Sequence, residues 1–122
     1  MAFGPCRGAR IEPDGTVSVV GLFNRLVGFG PGVEADLDFR AIAILAGAVG
    51  TFDIFAQLMG PDGDEVWIDD VRLEFSDRHT LFAAQWHVRT RTMPGEYELR
   101  LLFNGGPTVV ALPLMIVKEE TR

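Results

Sequence analysis

Ser76, Asp77 and His79 are the residue types of a hydrolase triad, and they fall within one short stretch. A working triad needs a serine Oγ set beside an imidazole that a carboxylate orients. Neighbours along a turn rarely converge in that way, and Ser76-Asp77-Arg78 reads as a turn whose Asp77 bonds local backbone. His87, the second of two histidines, lies on the polar parity of its segment and is expected on the surface. Zinc takes three or four His, Cys or carboxylate ligands. Neither histidine has a second His or Cys at such spacing, and Cys6 is the single cysteine, so no intrachain disulfide forms. Cys6 is expected to be a buried, structural thiol, because a reactive one needs a depressed pKa and only Arg7 stands beside it. The acidic turn Asp62, Asp64, Glu65, with Asp69 and Asp70 nearby, is the best place for calcium. Its spacing lacks the glycine at the sixth position of a calcium loop. It reads instead as a hairpin turn with solvated carboxylates. No cofactor and no catalytic residue is expected.

Aromatic residues offer a different chemistry, stacking against a sugar or another small ligand. Trp86 and Tyr97 fall on apolar parities and read as core. Trp67 lies between Val66 and Ile68 on the opposite parity and is expected to be exposed.

The elements that must position these residues are legible in the turn chemistry. Asp14-Gly15 follows Pro13, Asp62-Gly63 follows Pro61, and Asn104-Gly105 leads into Gly106-Pro107. Such pairs supply the positive φ that tight hairpins require. Gly47 with Gly50, and Met93-Pro94-Gly95, mark further breaks. Between them the chain alternates. Leu37, Phe39, Ala41, Ala43 and Leu45 oppose Asp38 and Arg40. Phe52, Ile54, Ala56 and Leu58 oppose Thr51, Asp53 and Gln57. Val71, Leu73 and Phe75 oppose Arg72 and Glu74. Phe82, Ala84, Trp86 and Val88 oppose Gln85 and His87. Tyr97, Leu99, Leu101 and Phe103 oppose Glu98 and Arg100. A period of two marks strands buried on one side.

The pattern predicts an all-β chain, a single antiparallel β-sandwich of about eight strands spanning residues 1–122, in immunoglobulin-like or jelly-roll order. The expected strands are about 5–12, 16–24, 37–46, 51–60, 65–75, 80–89, 96–104 and 108–118. Residues 25–36 read as a glycine-rich crossing. Asp69-Asp70 reads as a bulge, a bend or a strand crossing between sheets. Pro113, which cannot donate to a ladder, points to an edge position or a bulge within the apolar stretch 108–117.

Composition narrows the function classes. The 122 residues carry ten Arg and one Lys against 17 acids, a net charge of −6. Proteins that bind phosphate polymers or anionic membranes present clustered Lys and Arg. Scattered arginines in an acidic chain do not, so neither nucleic acid nor membrane is an expected partner. The longest apolar run, Ala41 to Val49, is 9 residues. A membrane-spanning helix needs about 20. The N-terminal Met-Ala-Phe-Gly-Pro-Cys-Arg has no basic region followed by an apolar run, and a cytoplasmic location is expected.

A Cys-containing first segment, Pro-Asp-Gly-Thr (13–16), Val-Ser-Val-Val-Gly-Leu-Phe-Asn (17–24), Leu-Asp-Phe-Arg-Ala-Ile-Ala-Ile-Leu (37–45), Gly-Pro-Asp-Gly-Asp-Glu (60–65) and Pro-Gly-Glu-Tyr-Glu-Leu-Arg-Leu-Leu-Phe-Asn-Gly-Gly (94–106) follow in that order. Over roughly residues 6–117 the chain resembles a family of small, uncharacterised bacterial β-sandwich proteins, immunoglobulin-like in fold. The resemblance implies a fold and a bacterial origin, and it carries no activity and no catalytic residues.

Surplus apolar residues supply the strongest functional reading. Ile42, Ile44, Phe55, Met59, Leu102, Val110, Leu112, Leu114 and Ile116 sit on parities that alternation assigns to solvent, and Leu26 and Phe29 lie in the crossing. Contiguous apolar surface marks interfaces. The expectation is a non-enzymatic protein that acts by protein–protein interaction or self-assembly, as a homo-oligomer or with another protein. The interface residues are Leu26, Phe29, Ile42, Ile44, Val110, Leu112, Leu114 and Ile116. The other reading is a small-ligand or carbohydrate-binding module built on Trp67.

Overall fold

The computed structural model describes residues 2–11, 17–20, 24–30, 32–45, 49–76, 82–104, 106 and 108–119. All regular structure among them is strand: β1 (Ala2–Cys6), β2 (Gly8–Ile11), β3 (Val17–Val20), β4 (Arg25–Gly28), β5 (Ala35–Leu45), β6 (Gly50–Met59), β7 (Glu65–Phe75), β8 (Phe82–Thr92), β9 (Gly95–Phe103) and β10 (Thr108–Lys118). Three strands form one sheet in the order β1-β5-β8. Five form a second in the order β4-β10-β9-β6-β7, and β2 pairs with β3 alone.

The alternating segments become the long strands. In β5, Leu37, Phe39, Ala41, Ala43 and Leu45 are buried while Asp36, Asp38 and Arg40 are exposed. The β5–β8 ladder runs unbroken from Ala35↔Thr92 to Leu45↔Phe82, so Ala84, Trp86 and Val88 join the same face. Ile54, Ala56 and Leu58 of β6, Leu99 and Leu101 of β9, and Leu114 and Ile116 of β10 complete one core drawn from both larger sheets. Each fully buried Leu or Ile side chain contributes about 1.5–3 kcal/mol. Phe52 and Phe75 meet edge-on with centroids 5.6 Å apart, as Phe3 and Trp86 do at 6.5 Å.

Several expectations are corrected. Arg7 separates β1 from β2, where one strand was expected. Arg25–Gly28, read as part of a crossing, is a strand. It pairs with β10 in parallel, Met115↔Arg25 to Lys118↔Gly28, so the five-stranded sheet is mixed, not wholly antiparallel. Glycine density hid it. Gly28 is needed there because a Cβ on it would stand 2.7 Å from the Ala35 Cβ. β4 therefore runs tight against β5, and the Asp36 amide donates to the Phe29 carbonyl at 2.7 Å, which ties the two larger sheets at this corner.

Asp69 and Asp70 pair in register with Ala56 and Phe55, without a bulge. The irregularity falls between Leu58 and Met59 instead. Asp69 stands opposite the buried Ala56 yet is exposed on the edge strand. An inward-register charge of this kind discourages a further strand from adding. Pro113 lies in the part of β10 that precedes its pairing with β4, an edge on that side, as expected. The Asp62-Gly63 hairpin is present, with Gly63 at φ 81°. The Asp14-Gly15 turn lies outside the described residues.

Candidate functional site

The triad candidates fall mostly outside the described residues. Ser76 is exposed just past β7, and Asp77 and His79 lie outside the described residues. His87 points outward from β8, as expected, and its Nε2 lies 2.5 Å from Oδ1 of Asp38. Cys6 is buried. Asp62 and Asp64 are exposed in the β6–β7 turn, and Glu65 accepts from Nε2 of Gln57 at 2.6 Å. Among the described residues no group of three or more His, Cys, Asp or Glu could hold a metal ion, and no helix is long and apolar enough to cross a membrane.

Trp67 does not form an open aromatic platform. Its register opposite the buried Leu58 turns it toward the core, where it is half-buried, while Ile68 beside it is 42% exposed. Trp86 and Tyr97 are core, as expected.

The interface residues divide. In β10 the even parity faces inward. Leu114 and Ile116 are buried, Val110 packs against the core, and Leu112 is half-buried opposite the buried Leu99. The outward residues of β10 are Ala111, Pro113 and Met115. The reversal has a physical cause. β10 is apolar on both parities, so pattern alone cannot choose its face, and the register with β9 decides it. Ile42 is also buried and Ile44 half-buried, beside β1 and with β2 close to β5. Leu26 and Phe29 are half-buried.

The outer face of the five-stranded sheet carries apolar residues of its own, with Met115 and Ile68 exposed and Phe55, Met59 and Leu102 half-buried. Register aligns Met59, Glu98 and Pro113 in one row, Gln57, Arg100 and Ala111 in the next, and Phe55, Leu102 and Thr108 beyond. Met115, 37% exposed, sits between Glu96 and Arg25. The face carries a groove of about 720 Å³ with both signs of charge on its walls. Arg100 Nε donates to Oε1 of Glu98 at 2.5 Å within it.

A second concavity, about 680 Å³, opens where β4 meets β5. Arg7, Arg25, Arg40 and His87 line it with Asp38, and Leu26, Val27 and Phe29 form an apolar wall. Beyond it runs a cross-strand ladder. Arg91 donates through Nε and Nη2 to both oxygens of Asp36, at 2.6 and 3.3 Å, and Arg89 stands 3.9 Å from Asp38. The bond from Arg91, above its bare charge, holds the Asp36 carboxyl below its ordinary value. The bond to His87, followed by the charges of His87, Arg89 and Arg40, does the same for Asp38. No protein-family model matches the chain, and no curated protein matches it in sequence. The arginine set went unread in the sequence because its members come from a loop and two strands that only folding brings together.

Proposed function

We propose that this chain is a non-enzymatic β-sandwich module that self-associates through the outer face of its five-stranded sheet. The two larger sheets share one core, which supports sandwich packing. A tyrosine whose hydroxyl closes back on main chain a few residues upstream recurs at the corners of immunoglobulin-like sandwiches, and Tyr97 makes that contact.

The observation that carries the proposal is the placement of Met59, Pro113 and Met115 in adjoining rows on that outer face, around Glu96, Glu98, Arg100 and Arg25. A two-fold interface must be complementary to itself. Flexible apolar side chains flanked by both signs of charge meet that condition, since the Arg25 side of one copy can face the Glu96 and Glu98 side of another. Four strands of about ten residues and the 4-residue β4, spaced about 4.8 Å apart with about 3.3 Å per residue, offer roughly 700 Å². A standard interface buries about that area per partner.

Sedimentation velocity on Met59→Asp and Met115→Asp tests the reading. Both side chains point away from the core, so each variant should keep its fold. Each is expected to shift the chain from dimer to monomer. Retention of the wild-type sedimentation coefficient in both folded variants contradicts the assignment of this face. Binding of this face to a different protein, with no self-association, contradicts the homotypic part.

A further inference from the structure

We propose that the concavity between β4 and β5 binds a small molecule carrying a phosphate monoester, its phosphate held by Arg7, Arg25 and Arg40 and its apolar part laid against Leu26 and Val27. Arg25 lines both this concavity and the outer groove, while Arg7, Arg40, Leu26 and Val27 line this concavity and not that groove, so the proposal does not rest on the docking face.

The charge balance is the first argument. Three guanidiniums face the cavity against one carboxylate, Asp38, which leaves a local excess of two positive charges in a chain whose net charge is −6. Asp38 is already engaged by His87 at 2.5 Å and stands 3.9 Å from Arg89. It is therefore turned to partners on β8. Arg7, Arg25 and Arg40 have no ion pair with any described residue. The ladder pairs the other basic groups of this sheet and spares these.

The second argument is geometry. Arg40 stands opposite both Cys6 and His87 in the β1-β5-β8 sheet, and Arg7 follows Cys6 directly. Arg25 enters from β4 in the other large sheet. The three approach from different elements. A flat carboxylate offers two oxygens to such a set, whereas a phosphate monoester offers three and a charge near −2. That charge matches the local excess. Guanidinium forks bind phosphate oxygens in pairs.

The third argument is the wall. Val27 is 38% exposed, with Leu26 and Phe29 half-buried beside it, and a cavity near 680 Å³ is of the size that encloses a small organic ligand. A polymer of phosphates is disfavoured by the acidic remainder of the surface, which repels a long polyanion.

Calorimetric titration with phenyl phosphate, inorganic phosphate and benzoate tests this. Phenyl phosphate is expected to bind one to one, more tightly than inorganic phosphate because its ring gains the apolar wall, and at least about tenfold more tightly than benzoate. Arg25→Gln and Arg40→Gln should each weaken it by about tenfold, with Arg40→Lys intermediate because the fork is lost and the charge kept. Arg100→Gln, in the outer groove, should leave it unchanged. Thermal melts establish that each variant is folded, and Arg7→Gln replaces any that is not. Absence of saturable binding, equal affinity for benzoate, or binding that survives Arg25→Gln and Arg40→Gln overturns the proposal.

Discussion

The hydroxyl of Tyr97 donates to the carbonyl of Met93 at 2.5 Å and lies 2.6 Å from the hydroxyl of buried Thr92. This contact sits where the chain leaves β8, in the three-stranded sheet, and enters β9, in the five-stranded one. It bridges the crossing from one sheet to the other and satisfies the hydroxyl of Thr92, which the crossing takes out of water. Tyr97→Phe keeps the ring and strands those partners. A loss of about 1–3 kcal/mol is expected. Urea unfolding should show a lower midpoint with an unchanged slope. An unshifted midpoint would mean the corner is held by packing alone.

Gly28 and Ala35 make the second junction between the sheets. A Cβ at Gly28 would stand 2.7 Å from the Ala35 Cβ and 3.0 Å from the Asp36 carbonyl oxygen. Gly28→Ala is expected to cost about 1–3 kcal/mol through overpacking. Adding Ala35→Gly should recover part of it, because the two sites touch and their effects are not additive. Simple addition of the two losses would show that β4 does not press on β5 as described.

Trp86 is buried and its Nε1 has no hydrogen-bond partner among the described residues. Trp86→Phe removes that stranded donor along with part of the ring, so the two effects oppose one another. A cost below about 1.5 kcal/mol is expected, against about 3–5 kcal/mol for Trp86→Ala. Thermal unfolding of both variants checks the ranking. Equal costs would show that the N–H is satisfied.

Acid should weaken the fold through the ladder on the outer side of β5 and β8. The carboxyls of Asp36 and Asp38 are held below their ordinary values by bonds from Arg91 and His87. A carboxyl depressed on folding contributes stability that is present above its unfolded pKa, near 3.9, and is lost as pH falls through the lower folded value. Stability from these groups should stay level from neutral pH to about pH 5 and decline below about pH 4. Asp36→Asn with Asp38→Asn should flatten that acid limb, and added salt should shallow it in the wild type. An acid limb unchanged by the double substitution would place the proton uptake elsewhere.

Most of the long strands were readable because one face of each is polar. Asp38 and Arg40 against Leu37 and Phe39, or Arg72 and Glu74 against Leu73 and Phe75, leave a single orientation that buries the apolar set. β10 was misread because Val110 through Val117 gives both faces an apolar face, and only the ladder with Leu99 and Tyr97 turns Leu112, Leu114 and Ile116 inward. Trp67 was misplaced because Asp69-Asp70 reads as a break in the strand, whereas β7 runs through it in register and Trp67 keeps the inward parity of Val71, Leu73 and Phe75. The short parallel strand Arg25–Gly28 was invisible because its pairing partner lies about 90 residues away and its glycine signals a loop. The arginines of the β4–β5 concavity carried no local pattern at all.

The measurement that bears most directly on the proposed function is absolute mass by light scattering after size exclusion, over a concentration series of the unaltered chain. Self-association through the outer face predicts a species of twice 13.4 kDa that dissociates on dilution. A mass that stays at 13.4 kDa across the whole series contradicts it.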